Sequence, residues 1–221
     1  MIEVNEIFSD DDVRLALWCE SGGDTNDLAN MANQIVEKHM RLISVPPEIV
    51  PYIWTCLEKT KIDIFTRYSF MPLQKNMDKD IDGLSENITQ VLKRGANGVQ
   101  VFVQMRDFER FCDALQPVRD DLFFNRKLSV CMDIEDIDIN NLGLIFQKLQ
   151  NIKADSFGIT FNEDTGNRSD FIGRIYALLE QWDLDGELHC ILINNMDRVD
   201  QVVRLTEILK PDLINKTRFF F

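Results

Sequence analysis

The sequence predicts a single closed (βα)8 barrel of the TIM type. Three observations predict it. Short β-rich runs alternate with amphipathic helical runs about eight times in 221 residues. Several of the β-rich runs are near-continuously apolar, as strands covered by helices on their outer face are. The helical runs between them are long enough to return the chain for parallel pairing. An open doubly wound sheet is the competing architecture, but no Gly-rich first turn is present to support it.

The first strand is expected at 14–20, RLALWCE, followed by a turn at Ser21-Gly22-Gly23. Asp24 or Thr25 can cap a helix to about His39, with Leu28, Met31 and Ile35 at helical spacing. Strand two, 41–45, stops at Pro46-Pro47, and Pro47 suits the first turn of the next helix. Strand three is placed at 61–67. Residues 71–83 read as a long polar insertion before a helix that ends at Gly95. Strand four, 98–104, leads to a helix at 106–122; strand five, 127–133, to one at 140–152. Strand six, 155–161, leads to a helix at 169–182; strand seven, 187–193, to one at 196–209, ended by Pro211. Strand eight is placed at 212–218, DLINKTR. No eighth helix follows it. Something else must therefore cover strands eight and one: residues 1–13, which read as an N-terminal extension to a barrel spanning 14–221, or a second subunit. The three phenylalanines Phe219, Phe220 and Phe221 are expected to be buried, because exposed they form an aggregating patch.

Hydrophobic residues make up 45% of the chain, enough for a large core. The net charge of −13, from 37 acidic and 24 basic residues, opposes nucleic acid and anionic membrane surfaces as partners. No apolar run approaches the ~20 residues of a membrane span. The acidic N-terminus lacks the apolar stretch of a signal peptide. Cys19, Cys56, Cys112, Cys131 and Cys190 are odd in number and form no CxxC pair; buried reduced thiols in a cytoplasmic protein are the expectation. Trp18, Trp54 and Trp182 read as packing residues.

Residues 93–104, KRGANGVQVFVQ, resemble a stretch of the deoxyribose-phosphate aldolase family, in which a helix ends in Gly-Ala-Asp-Glu before a strand. Gly95, Ala96, Asn97, Gly98, Val99, Gln100 and Gln104 stand at the corresponding places. Segments 44–57, SVPPEIVPYIWTCL, 65–72, FTRYSFMP, and 153–161, KADSFGITF, are similar to further motifs of that family. The resemblance implies a class I aldolase barrel, but the family's chemistry is not carried over. Gly158, with Ile159 beside it, stands where the family has its Schiff-base lysine in strand six. The stretch of the second lysine, in strand seven, reads His189-Cys190-Ile191-Leu192. Gln100 replaces the strand-four aspartate, and Asn194-Asn195 replace phosphate-binding glycines. A Schiff base needs a desolvated amine, and an amide is no general base.

In a closed barrel the functional residues gather at the C-terminal strand ends. The candidates placed there for catalysis are Lys216, Asp133 and Glu20. Those placed there for ligand binding are Arg67, Gln100, Gln104, Asn162, Asn194 and Arg218. Arg67 and Arg218 could clamp an anion bidentately. Glu20, Asp133, Glu135, Glu163 and Asp164 could gather around a hard cation, or be solvated loop carboxylates; no metal and no cofactor is assigned. His39 and His189 read as structural. The readings are a divergent aldolase-like protein without Schiff-base catalysis that binds a small anionic metabolite, a lyase or isomerase using the strand-end carboxylates with or without a divalent metal, and a non-catalytic protein that oligomerises through its strand-eight side.

Overall fold

Strict alternation of side chains along eight strands builds this molecule. A computed structural model describes residues 7–8, 12, 14–19, 25–73, 76–161, 168–192 and 195–221. Its strands are β1 (Leu15–Trp18), β2 (Leu42–Val45), β3 (Asp63–Ser69), β4 (Gly98–Phe102), β5 (Lys127–Asp133), β6 (Ser156–Thr160), β7 (Glu187–Ile191) and β8 (Thr217–Phe220). All neighbours pair in parallel, and β8 pairs with β1 to close the barrel.

Leu15, Ile43, Ile64, Val99, Val101, Leu128, Val130, Phe157, Ile159, Leu188 and Phe219 face outward into one continuous core with the helices. The alternate positions Ala16, Leu42, Phe65, Cys131, Ile191 and Phe220 fill the lumen. The two-residue period of a strand separates these sets, and a slip of one residue would exchange them.

The covering helices are α1 (Thr25–Glu37), α2 (Val50–Leu57), α3 (Met77–Lys93), α4 (Met105–Leu115), the short α5 (Arg119–Leu122), α6 (Leu142–Asn151), α7 (Arg168–Glu180), α8 (Met196–Leu209) and the short α9 (Pro211–Ile214). Three places differ from the sequence expectation: the helix expected at 106–122 is divided at Pro117 into α4 and α5, and the other two follow. Helix α3 begins inside the segment read as a polar insertion. Asn76 caps it by accepting the amide of Lys79 at 3.3 Å, and Asp78 and Asp80 occupy its first turn, where carboxylates are favoured. Pro211 starts α9, as proline at a first helical position does, so β8 begins five residues later than expected.

No helix follows β8 among the described residues. Phe8 takes its place. Its ring lies 5.1 Å from that of Phe219 and 5.9 Å from that of Phe221, with the Arg14 guanidinium over it. Phe219 and Phe220 are fully buried, so the apolar surface that suggested a subunit contact at β8 is covered within the chain. Trp54 and Cys56, expected to be packed, are exposed on α2. No helix among the described residues is long and apolar enough to cross a membrane.

Candidate functional site

Inward-facing polar residues sit low in the barrel. His189 is wholly buried on β7, its Nδ1 3.1 Å from the Ser129 hydroxyl and 3.5 Å from both Gln100 Nε2 and the Ser156 hydroxyl. The Gln100 carbonyl accepts from Ser44 at 2.6 Å. His189 Nε2 faces Glu187 Oε2 at 3.4 Å, and the other Glu187 oxygen accepts from Arg218 at 2.5 Å. Burial pushes the imidazole down from its ordinary value, against the opposing pull of Glu187. Burial acts to raise Glu187, but the hydrogen bond from His189 and the charge of Arg218 leave it below its usual range. The network is satisfied by its own members, as buried polar groups must be.

Above it the lumen is closed by rings. Phe220 packs edge-on to His189 at 5.3 Å and to Trp18 at 6.2 Å, and Trp18 edge-on to Phe102 at 6.1 Å. The Arg67 guanidinium lies 4.1 Å from the Trp18 ring and donates to the Cys19 carbonyl.

Over the C-terminal ends of β3 to β6 a cavity of about 680 Å³ opens beside this stopper. Phe70, Met71, Pro72 and Phe102 form its apolar wall; Gln104, Thr160, Asp107, Asp133, Asp136 and Arg106 supply its polar groups. The wall is braced from behind. Asp80 accepts the Leu73 amide at 2.5 Å, Arg110 donates to the Leu73 carbonyl at 2.5 Å, and the two side chains form an ion pair. Asp133 Oδ1 accepts the Glu135 amide at 2.9 Å. Burial, with the nearby charges of Asp136 and Glu135, raises the Asp133 carboxyl above its ordinary value.

The structure gathers only part of the expected site. Asp133 and Gln104 line the cavity. Gln100 lies below the stopper in the His189 network. Lys216 and Arg218 stand at the opposite, N-terminal end of the barrel, because β8 starts at Thr217 rather than at 212. There Lys216 pairs with Asp185 at 2.8 Å and Arg218 with Glu187. Arg67 and Arg218 therefore form no common clamp. Glu20, Asn162 and Asn194, with Glu163 and Asp164, lie outside the described residues. Among the described residues no three His, Cys, Asp or Glu side chains are grouped to hold a metal ion. Sequence reasoning missed Phe70, Phe102, Asp107 and Asp136 as cavity residues. Phe102 read as strand core, and Asp136 as one acid of a solvated loop. Only their places, Phe102 as the last residue of β4 and Asp136 just past β5, could have singled them out.

No protein-family model matches the sequence, and no curated protein matches it. Solved structures do match. The tetrameric deoxyribose phosphate aldolase from Aeropyrum pernix is 13% identical, with a TM-score of 0.69 over 96% of this chain and 88% of that one. Another aldolase is 9% identical, with a TM-score of 0.67 over 95% and 90%. The carboxyl transferase domain of Rhizobium etli pyruvate carboxylase, 11% identical, gives 0.61 over 96% of this chain and 40% of that one. At these identities the likeness is one of fold. The class is the single-domain (βα)8 barrel. Within it, the fold is similar to that of deoxyribose phosphate aldolases over about 95% of this chain.

Proposed function

We propose that this protein is a divergent aldolase-like barrel that binds a small metabolite at its C-terminal mouth without forming a Schiff base. The observation that carries this reading is Gly158. It pairs with Cys131 of β5 and His189 of β7, and a Cβ at Gly158 would fall 3.1 Å from the Cys131 Cβ and closer still to its Sγ. On the family resemblance Gly158 stands at the reactive lysine's place, and beside it lies the Cys131 thiol, pushed up to about 12 by burial. No lysine lines the mouth cavity among its described residues. The free thiols of Cys56, Cys112, Cys131 and Cys190 fit a reducing compartment, and a cytoplasmic location belongs to the same proposal.

Borohydride reduction of the native protein with a panel of small aldehydes, read by intact mass, tests the reading. The expected result is no saturable adduct. A stoichiometric adduct on one lysine, Lys216 included, would overturn it.

One observation favours a second reading, a lyase or isomerase using a mouth carboxylate. Asp133 is half-buried in the cavity, and burial raises its carboxyl above its ordinary value, as in many general acids and bases. Turnover of a hydroxy- or keto-acid abolished by Asp133→Asn would move the assignment to that class.

A further inference from the structure

The charge around the mouth opposes the anionic ligand that the sequence suggested. We infer that the mouth cavity receives a small organic cation, an amine or quaternary ammonium carried on a flat apolar body. This rests on the reading that the mouth is the ligand site.

The size fits a small molecule. About 680 Å³ lies within the range of roughly 300–1,000 Å³ that such sites occupy. Phe102, half-buried, offers aromatic surface, and Phe70 backs the wall from a nearly buried position. Phe70 is held by an edge contact with Phe111 at 5.3 Å, and Phe102 by Trp18, so both rings are fixed before a ligand arrives. A fixed ring attracts a cation within ~6 Å of its centroid.

The polar groups point the same way. The described lining carries the carboxylates Asp107, Asp133 and Asp136 against the single guanidinium of Arg106, an excess of two negative charges. Arg106 is turned to solvent, 80% exposed, with its nearest carboxylate Asp107 at 3.5 Å. Arg174, the other guanidinium close enough to influence Asp133, is committed elsewhere. It bonds Asp170 at 2.9 Å and the Ile137 carbonyl at 2.8 Å. Asp133 uses one oxygen on the Glu135 amide, and its Oδ2 meets no donor among the described residues. A half-buried carboxylate with an unused oxygen, beside a second carboxylate and two aromatic rings, is completed by an ammonium group. A phosphate or carboxylate placed there would meet the repulsion of three carboxylates, with only the solvent-turned Arg106 as a cation among the described lining residues.

Titration calorimetry of the full chain at low salt tests this with three probes of one shape: benzyltrimethylammonium, benzyl alcohol and phenyl phosphate. Benzyltrimethylammonium should bind saturably at one site, benzyl alcohol at least tenfold more weakly, and phenyl phosphate not at all. Asp133→Asn, which keeps the oxygen that caps the Glu135 amide, should weaken the ammonium probe about tenfold. Asp136→Asn, on an exposed residue, should weaken it less and leave thermal unfolding unchanged. Phenyl phosphate binding as tightly as the ammonium, no saturable binding by any probe, or indifference to both substitutions would overturn the inference. None of these results touches the Schiff-base question, which the borohydride experiment decides on its own.

Discussion

Adding one methyl group at Gly158 probes the centre of the barrel. In Gly158→Ala the new carbon would lie 3.4 Å from the Cys131 Cα, 3.1 Å from its Cβ and inside contact distance of its Sγ. Cys131 is hemmed in on its lumen side. It is fully buried among Ala16, Leu42, Phe65, Ile191 and Phe220, and its backbone is paired to Gly158 itself. Overpacking of this kind costs about 1–3 kcal/mol, and obstruction by a short side chain near its backbone places the value at the upper end. Alanine recovers about 0.5–1 kcal/mol of the conformational entropy that a strand glycine loses. The net loss is about 1–2 kcal/mol, or a Tm lowered by about 2–8 °C in a domain of this size. Cys131→Ala removes the obstructing sulfur, so the double variant should regain at least ~1 kcal/mol relative to the sum of the single changes. Calorimetric unfolding of the four proteins measures the cycle. A Gly158→Ala Tm within a degree of the parent, or strictly additive effects, would refute the claim that the lumen has no room for a side chain at this position.

Phe8→Ala should cost about 3 kcal/mol in denaturant unfolding, since the ring is buried against Phe219 and Phe221; an effect under ~1 kcal/mol would mean that β8 is covered some other way. Acidification should destabilise the fold in two steps. His189 has its folded value below the unfolded ~6.5, so its contribution is present above that pH and is lost as the pH falls beneath it. Glu187 is also held below its unfolded value, and its contribution is lost at still lower pH, beneath ~4.3. Asp133 has the opposite sign, because the folded state favours its protonated form. Chemical denaturation across pH 4–8 should show the first decline, and His189→Gln should remove it; an unchanged slope would place the titrating group elsewhere.

The barrel was legible because its signal is redundant. Eight strands each carry the same two-residue alternation, so an error of a few residues in one leaves the topology intact. The site had no such redundancy. Whether a residue lies at the mouth or the base of a barrel depends on where one strand starts, and DLINKTR offers an alternating pattern that α9 in fact interrupts. Reading Pro211 as a helix start would have moved Lys216 and Arg218 to the base. Gln100 was assigned to a ligand because nothing local reveals that Ser44 and His189, 56 and 89 positions away, already engage it. Asp133 ends β5 where expected, and Gln104 lies two residues past the end of β4, which stops at Phe102 rather than at 104; both line the cavity.

The rings of Trp18, Phe102 and Phe220 act as a bulkhead. They stand between the open end and the imidazole beneath. The mouth cavity lies on one side of this bulkhead and the hydrogen-bonded base on the other, so substitutions in one are expected to leave the other's packing intact.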